Sequence, residues 1–434
     1  MFVESLRREN LIAAHLAKAR CVSDELFGLI RPSAIYERPI AERHRLIFYL
    51  GHLEAFDWNL IGRGLHGLNS FNDEFDRLFA FGIDPTDGGV PNDGPQDWPR
   101  EAEIRRYNRR IRGAVDRCLS GELFEESMLR FWVAIEHRLM HAETLAYMLH
   151  WLPYDQKIAK PTPAADASPA PQPRRIEIPA GHATLGLDPN ADFPFGWDNE
   201  FKAHRVRVPA FAIDAFNVTN RQYLEFVRDG GYQTRELWTE EGWNWITTQG
   251  IAHPRFWKKR GGDWMYRTMF RDTPLPPAWP VYVSHAEAQA FARWTGKSLP
   301  SEVQFHRAAY GSADGPERLY PWGLSPPDSS RGNFDFASWT PSPVGAYPRG
   351  NSAFGVADLA GNGYEWTSTL FEPFPGFEPF PFYPGYSANF FDGKHYVMKG
   401  ASPRTAALLL RRSFRNWFQP FYPYIYAKFR CVEN

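Results

Sequence analysis

The sequence is poor in cysteine, with only Cys21, Cys118 and Cys431 in 434 residues. They lie far apart and none falls in CxxC spacing. That excludes a disulfide framework and argues against a zinc ribbon. Long apolar runs are also missing: no stretch approaches the 18 or more residues of a membrane span, and the start, MFVESLRRENL, has no apolar signal core. Nor is there a charge excess. Lys+Arg 49 against Asp+Glu 50 gives a net charge of -1, which disfavours a general nucleic-acid binder. A reduced, soluble, cytoplasmic protein without membrane or nucleic-acid partners is the expectation.

What is present divides the chain into two halves. Residues 1–155 contain four long runs with apolar residues at three- and four-residue spacing: SLRRENLIAAHLAKARCVSDELFGLI, AERHRLIFYLGHLEAFDWNLIGRGL, PREAEIRRYNRRIRGAVDRCL and GELFEESMLRFWVAIEHRLMHAETLAYMLHWL. Turn-rich segments such as GIDPTDGGVPNDGPQDWP separate them. Four amphipathic helices in succession predict a four-helix bundle, a fold that commonly builds metal sites from facing helices. Residues 156–175 are dense in Pro and Ala and read as a semi-rigid linker. From residue 176 to 434 short β-like runs (RIEIPA, HRVRVPAFAID, WPVYVS, YVMKGA, AKFRCV) alternate with long Gly/Pro/Trp-rich loops. NRQYLEFVRDG and HAEAQAFARWTG read as helices, the second with Ser284 as N-cap. The fold class expected is therefore α followed by α+β. Much of the 16 % aromatic content falls in this second half, where large rings pin loops or line pockets.

In EHRLMHAE, His137 and His141 are four residues apart, a net turn of about 40°, so they share one helix face and can meet one metal ion. Glu143 lies about 200° from His141 and is better placed as a supporting group than as a ligand. A third ligand has to come from another helix, where His15, His44, His52 and His66 are available. His52 sits centrally in YLGHLEAFDW among apolar and aromatic neighbours. An isolated HxxxH pair is more often solvent-facing, so the pair alone does not establish a metal site.

IPAGHATLG, IDAFNVTNRQYLEFVRDGGY, WPVYVSHAEAQAFARWTGKSLPSEVQFHRAAYG, YPWG, FGVADLAGNGYEWTST and KFRC follow one another in an order that resembles the formylglycine-generating-enzyme/sulfatase-modifying fold, a relative of C-type lectins. That resemblance implies that Asn220, Trp322, Asn362, Glu365 and Trp366 organise loops and core. The formylglycine-generating enzymes themselves use a pair of cysteines for copper. Cys431, alone in this domain, excludes that oxidase chemistry. Joined to a helical half carrying HRLMHAE, the chain resembles the ergothioneine-type sulfoxide synthases, which pair a DinB-like four-helix domain with the sulfatase-modifying fold.

The resemblance implies Fe(II) held by His52, His137 and His141, with O2 and hercynine as substrates. Hercynine carries a quaternary ammonium, which aromatic faces hold by cation–π attraction. Asn416 and Trp417 match the family's substrate-binding RNW segment. Where one branch of the family has an acidic residue for γ-glutamylcysteine, this chain has Phe418; where that branch has Gln before the second motif histidine, it has Met140. Tyr383 and Tyr386 are the candidates for the catalytic tyrosine, and Arg106 and Arg109, from the basic run RRYNRRIRG, for contacts to the chalcogen donor. The closing RNWFQPFYPYIYAKFR resembles the selenoneine synthases, which implies a selenosugar donor. A thiol donor, cysteine or γ-glutamylcysteine, is the alternative. A zinc-dependent thiol transferase and a binding module without chemistry stand further off.

Overall fold

The computed structural model describes residues 2–82, 90–119, 124–161, 169–188, 195–313 and 315–433. They fall into two compact units, Met1–Pro161 and Thr162–Asn434. Residues 162–168 of the expected linker and 83–89 of the turn-rich segment lie outside the described residues.

The first unit is helical: α1 (Phe2–Phe27), α2 (Leu46–Asp57), α3 (Asp73–Phe81), α4 (Glu101–Leu119) and α5 (Glu125–Trp151). α1 packs on α5, and α2 packs on α3, α4 and α5. Three of the four anticipated helices are continuous. The second is not: α2 passes directly into a π-helical segment, Trp58–Arg63. The short α3 is an addition to the sequence reading. Its start is marked by Asn72, whose side chain accepts from the Phe75 N–H at 3.1 Å, and by Asp73, Glu74 and Asp76 in the first turn, which suit a helix N-terminus. No helix of the described residues is long and apolar enough to cross a membrane.

The second unit runs β1 (Arg175–Ile178), β2 (Gly181–Leu185), β3 (His204–Val208), β4 (Phe211–Asp214), α6 (Asn220–Arg228), α7 (Glu240–Gln249), β5 (Trp257–Arg260), β6 (Asp263–Arg267), β7 (Asp272–Pro274), α8 (His285–Trp294), α9 (Glu302–Tyr310), β8 (Gly363–Leu370), β9 (Tyr396–Ala401), β10 (Asn416–Phe418), β11 (Ala427–Lys428) and β12 (Val432–Glu433). The sheets are ordered β1-β4-β12, β10-β9-β8-β11, β2-β3 and β5-β6-β7. WPVYVS, expected as a strand, is not one. Its amides serve different partners, Val281 N–H donating to the Val218 carbonyl and Val283 N–H to that of Ala427, so the extended apolar run makes only an isolated antiparallel bridge, Pro280 to Thr219, and no longer ladder. Trp366 holds it in place, its indole N–H donating to the Val283 carbonyl at 2.9 Å.

Buried charge ties this loop-rich unit together. Glu365 on β8 accepts from Arg430 at 2.6 and 2.8 Å, and Lys428 lies 3.6 Å from it, all three side chains fully buried. Arg430 also donates to the carbonyls of Asp214, Ala215 and Ala357. Desolvation draws the Lys428 ammonium down to about 8. Asn362 sits at φ 64 and bonds both ways with Ser342, at 2.8 and 2.9 Å. Asn220 donates to the Pro276 carbonyl and accepts from the Trp257 indole. Trp322 stacks on Tyr320 at 5.2 Å.

Ser284 caps α8 as expected, accepting from the Glu287 N–H while its hydroxyl donates to the Glu287 carboxylate at 2.7 Å. Both residues are buried. Ser284→Ala is expected to cost about 1–2 kcal/mol, read from denaturant midpoints, because it removes the cap and strips a bond from a buried carboxylate. A variant as stable as the parent would contradict this.

Candidate metal centre

α2 carries Phe48, His52 and Phe56 at four-residue spacing, which sets them along one stripe of the helix. α5 presents His137 and His141 in the same manner. The two stripes meet. One ligand atom from each of His52, His137 and His141 can be chosen so that all lie within 4.8 Å of one another, the only such three-residue group among the described residues. Ring centroids are 5.2 Å apart for His52 and His137, 4.8 Å for His52 and His141, and 4.4 Å for His137 and His141.

Each ring is held by an aromatic neighbour on α2. His52 stacks on Phe48 at 4.7 Å, His137 on Phe56 at 3.5 Å and 11°, and His141 lies 5.7 Å from Tyr49. His52 Nδ1 is 2.6 Å from the carbonyl of Phe79, in the last turn of α3. Helix-end carbonyls lack partners within their own helix, so this one accepts the Nδ1 proton and leaves Nε2 with its lone pair. His52 and His137 are buried, and His141 is half-buried beside the half-buried Met140, so the group opens on that side.

Burial disfavours the charged imidazolium, and the neighbouring cationic groups add to this. His52 is drawn down to about 4 by desolvation, with Phe79 opposing and His44 and Arg138 assisting. His137 is held well below the usual histidine range by burial and then by His141 and His52. His141 is held there by burial, then by His52 and Arg43. Three neutral imidazoles are the state a metal ion requires. His141 Nδ1 is moreover buried without a hydrogen-bond partner among the described residues. The donor set fits a divalent ion such as Fe(II) with open positions for further ligands.

The other candidate histidines are not members of the group. The His15 ring is 5.3 Å from Trp132, and His44 packs on Phe48 and faces Gly82. Glu143 is buried and outside the histidine group. Arg106 lines a cavity of about 710 Å³ with Trp98 and Tyr107, whereas Arg109 lines a different one of about 280 Å³ with Glu54, Arg112 and Arg138. None of the three histidines lines either. Phe48, Phe56 and the Phe79 carbonyl were not singled out from sequence. The four-residue aromatic spacing around His52 was a usable signal for the first two, whereas a backbone carbonyl has none.

In the second unit Asn416, Trp417 and Phe418 form β10, paired antiparallel with Met398, Val397 and Tyr396. Trp417 stacks on Phe371 at 4.1 Å and 8°, with Tyr386 and Phe390 each 5.5 Å away. Tyr386 in turn stacks on Trp197 at 3.9 Å and lies 5.6 Å from Tyr383. Burial, then the carboxylate of Asp198, pushes the Tyr383 phenol up to about 12, so it stays protonated. Phe418 stacks on Tyr422 at 5.3 Å and 17°. The structure thus gathers Tyr383, Tyr386 and Trp417 into one aromatic cluster, with Phe418 in a second.

The sulfatase-modifying factor enzyme 1-like domain family matches residues 161–434. A hercynine oxygenase of Mycolicibacterium thermoresistibile is 36% identical over 338 residues, which cover 76% of this chain and 74% of that protein. A hercynine oxygenase of Mycobacterium tuberculosis is 37% identical over 76% of this chain and 77% of its own length. Ergothioneine biosynthesis protein 1 of Neurospora crassa is 28% identical over 92% of this chain but 55% of its own length.

Proposed function

The chain belongs to the hercynine oxygenase family, ergothioneine-type enzymes with a sulfatase-modifying factor enzyme 1-like domain, and from that premise we propose that it is a non-haem Fe(II), O2-dependent enzyme joining a chalcogen to C2 of the hercynine imidazole. The observation that carries the metal assignment is the group of three neutral, aromatically clamped histidines. His52, His137 and His141 hold the iron, which when bound supplies a site for O2 activation toward a closed-shell imidazole.

The reaction balances as hercynine C2–H plus R–SeH plus O2 giving a C2–Se(=O)–R selenoxide and water. Two electrons leave on forming the carbon–selenium bond, two on forming the oxide, and O2 accepts all four. The cluster around Trp417 offers ring faces to the trimethylammonium group, worth about 0.5–2 kcal/mol per ring, with Asn416 beside it for a polar contact. Tyr383 and Tyr386 are proposed as the proton-handling tyrosines of the reaction. A phenol kept protonated by burial, as at Tyr383, can donate. Met140, beside His141, is a proposed substrate-side contact; Arg106 and Arg109 are proposed donor contacts only within the two separate cavities they line, apart from the histidine group. The setting is a reducing cytoplasm, in keeping with three free cysteines.

For the donor we favour a selenosugar. Phe418, stacked on Tyr422, offers neutral ring surface where a relative binding γ-glutamylcysteine needs an acid, and a sugar needs no charge partner. The names of the relatives favour the thiol reading, an ergothioneine-type sulfoxide synthase using cysteine or γ-glutamylcysteine. The test is anaerobic Fe(II) reconstitution, then O2 with hercynine and equimolar selenosugar, cysteine and γ-glutamylcysteine, with products resolved by mass spectrometry. The selenoxide is expected to dominate. A sulfoxide as main product would replace the selenium reading, and no hercynine-dependent O2 uptake with any donor would end the oxygenase reading.

A further inference from the structure

Arg138 follows His137 on α5, about 100° further round the helix, and therefore leaves the histidine stripe for the neighbouring face. It is completely buried. Its Nη2 donates to the Leu53 carbonyl at 3.0 Å, to Glu54 at 2.9 Å and to Asp57 at 2.6 Å, and its Nη1 to Glu54 at 3.0 Å and Ser23 at 3.4 Å. Arg112 of α4 joins from the far side, 2.7 Å from Glu54 and bidentate on Asp24 of α1 at 2.7 Å. One network thus engages all four long helices. On α2 it grips the residues immediately after His52, ending where the helix changes to π geometry at Trp58.

We infer that the Arg138–Glu54–Asp57 cluster is the positioning element that sets the register of α2 against α5, and through it the spacing of His52 from His137 and His141. The inference rests on the metal reading of those histidines. Stability alone is a poor reason for such a cluster, since apolar side chains of similar volume commonly serve a core equally well or better. Direction is a better one. Sliding α5 by one residue moves its side chains about 1.5 Å along the axis, which stacked rings such as Phe56 on His137 tolerate. A planar guanidinium bonded at once to two carboxylates and a carbonyl does not tolerate it, because its donors have fixed directions. Arg138 touches neither metal nor substrate in this scheme; apart from the positive charge it places near the histidines, it acts through the helices it joins.

The test is Co(II) titration of the full-length, metal-free protein, following affinity and the visible ligand-field spectrum, with anaerobic Fe(II) binding as a second probe. Arg138→Met is expected to weaken both metals by about tenfold or more, as loss of supporting contacts does elsewhere, and to change the Co(II) spectrum. Arg138→Lys, which keeps the charge but not the fork, falls between. Leu16→Ala, a truncation in the core of α1, serves as the stability control and is expected to lower Tm with metal affinity within about twofold of the parent. If Arg138→Met does not fold, the neutral triple variant Arg138→Met, Glu54→Gln, Asp57→Asn buries no lone charge and is expected to show the same loss of affinity. Parent-like affinity and spectrum in a folded Arg138→Met or triple variant would overturn the inference. So would an equal loss of affinity in Leu16→Ala at matched Tm. A parent protein that binds neither Co(II) nor Fe(II) would instead remove the metal reading itself, and the positioning role with it.

Discussion

His52→Ala is expected to lower Fe(II) affinity by more than about 100-fold and to abolish hercynine-dependent O2 uptake, while the apo protein keeps its helical content. Loss of a supporting group costs about 10–100-fold in metal affinity, and loss of a ligand exceeds that. Three arrangements make this substitution decisive. His52 is the only member of the group that α5 does not supply. Its Nδ1 proton is committed to Phe79, so the remaining nitrogen has one direction to face. His137 and His141 alone form the two-imidazole pair that binds metal weakly. Iron content is read by metal analysis after anaerobic reconstitution and desalting. Undiminished iron in His52→Ala would remove the three-histidine assignment.

Arg430→Ala is expected to destabilise the second unit by about 3–5 kcal/mol, the range for breaking a buried ion pair from one side. The loss is large because Arg430 does two jobs in a fully buried place. It neutralises Glu365 on β8, and it satisfies the carbonyls of Asp214, Ala215 and Ala357. Lys428, 3.6 Å from Glu365, cannot take over. Burial already draws it down to about 8, so its charge is held less firmly than that of a guanidinium. Guanidinium-chloride unfolding of the full chain, followed by tryptophan fluorescence, gives the measurement. A midpoint within error of the parent would contradict it.

The helices were legible because their signal is local. Apolar spacing places α1, α4 and α5 within a few residues of where they lie, and it places His137 and His141 on one face. The break of α2 at Trp58 was not legible, since WNLIGR carries the same apolar spacing as the helix before it. WPVYVS failed for the converse reason: β-branched and aromatic residues describe an extended, buried backbone, but the Val281 and Val283 amides bond to Val218 and Ala427, which lie far away in the chain. For Asn362, Glu365 and Trp366 the family resemblance implied a loop-organising role, but not that Arg430 and the Val283 carbonyl were the partners.

What the sequence determined by itself is the division into a helical and a mixed, loop-rich half and the shared face of His137 and His141. These follow from periodicities of a few residues and from composition; that a lone Cys431 in the second half removes copper–dithiol chemistry is what the family resemblance implies. The tertiary structure decided which of the candidates His15, His44, His52 and His66 lies beside the pair, that Phe48, Phe56 and Phe79 fix the rings, and that Arg138 spans from α5 to Glu54 and Asp57 on α2. Each of these depends on the register between helices distant in sequence. Register is set by packing and directional hydrogen bonds across the bundle, which no spacing along one helix encodes.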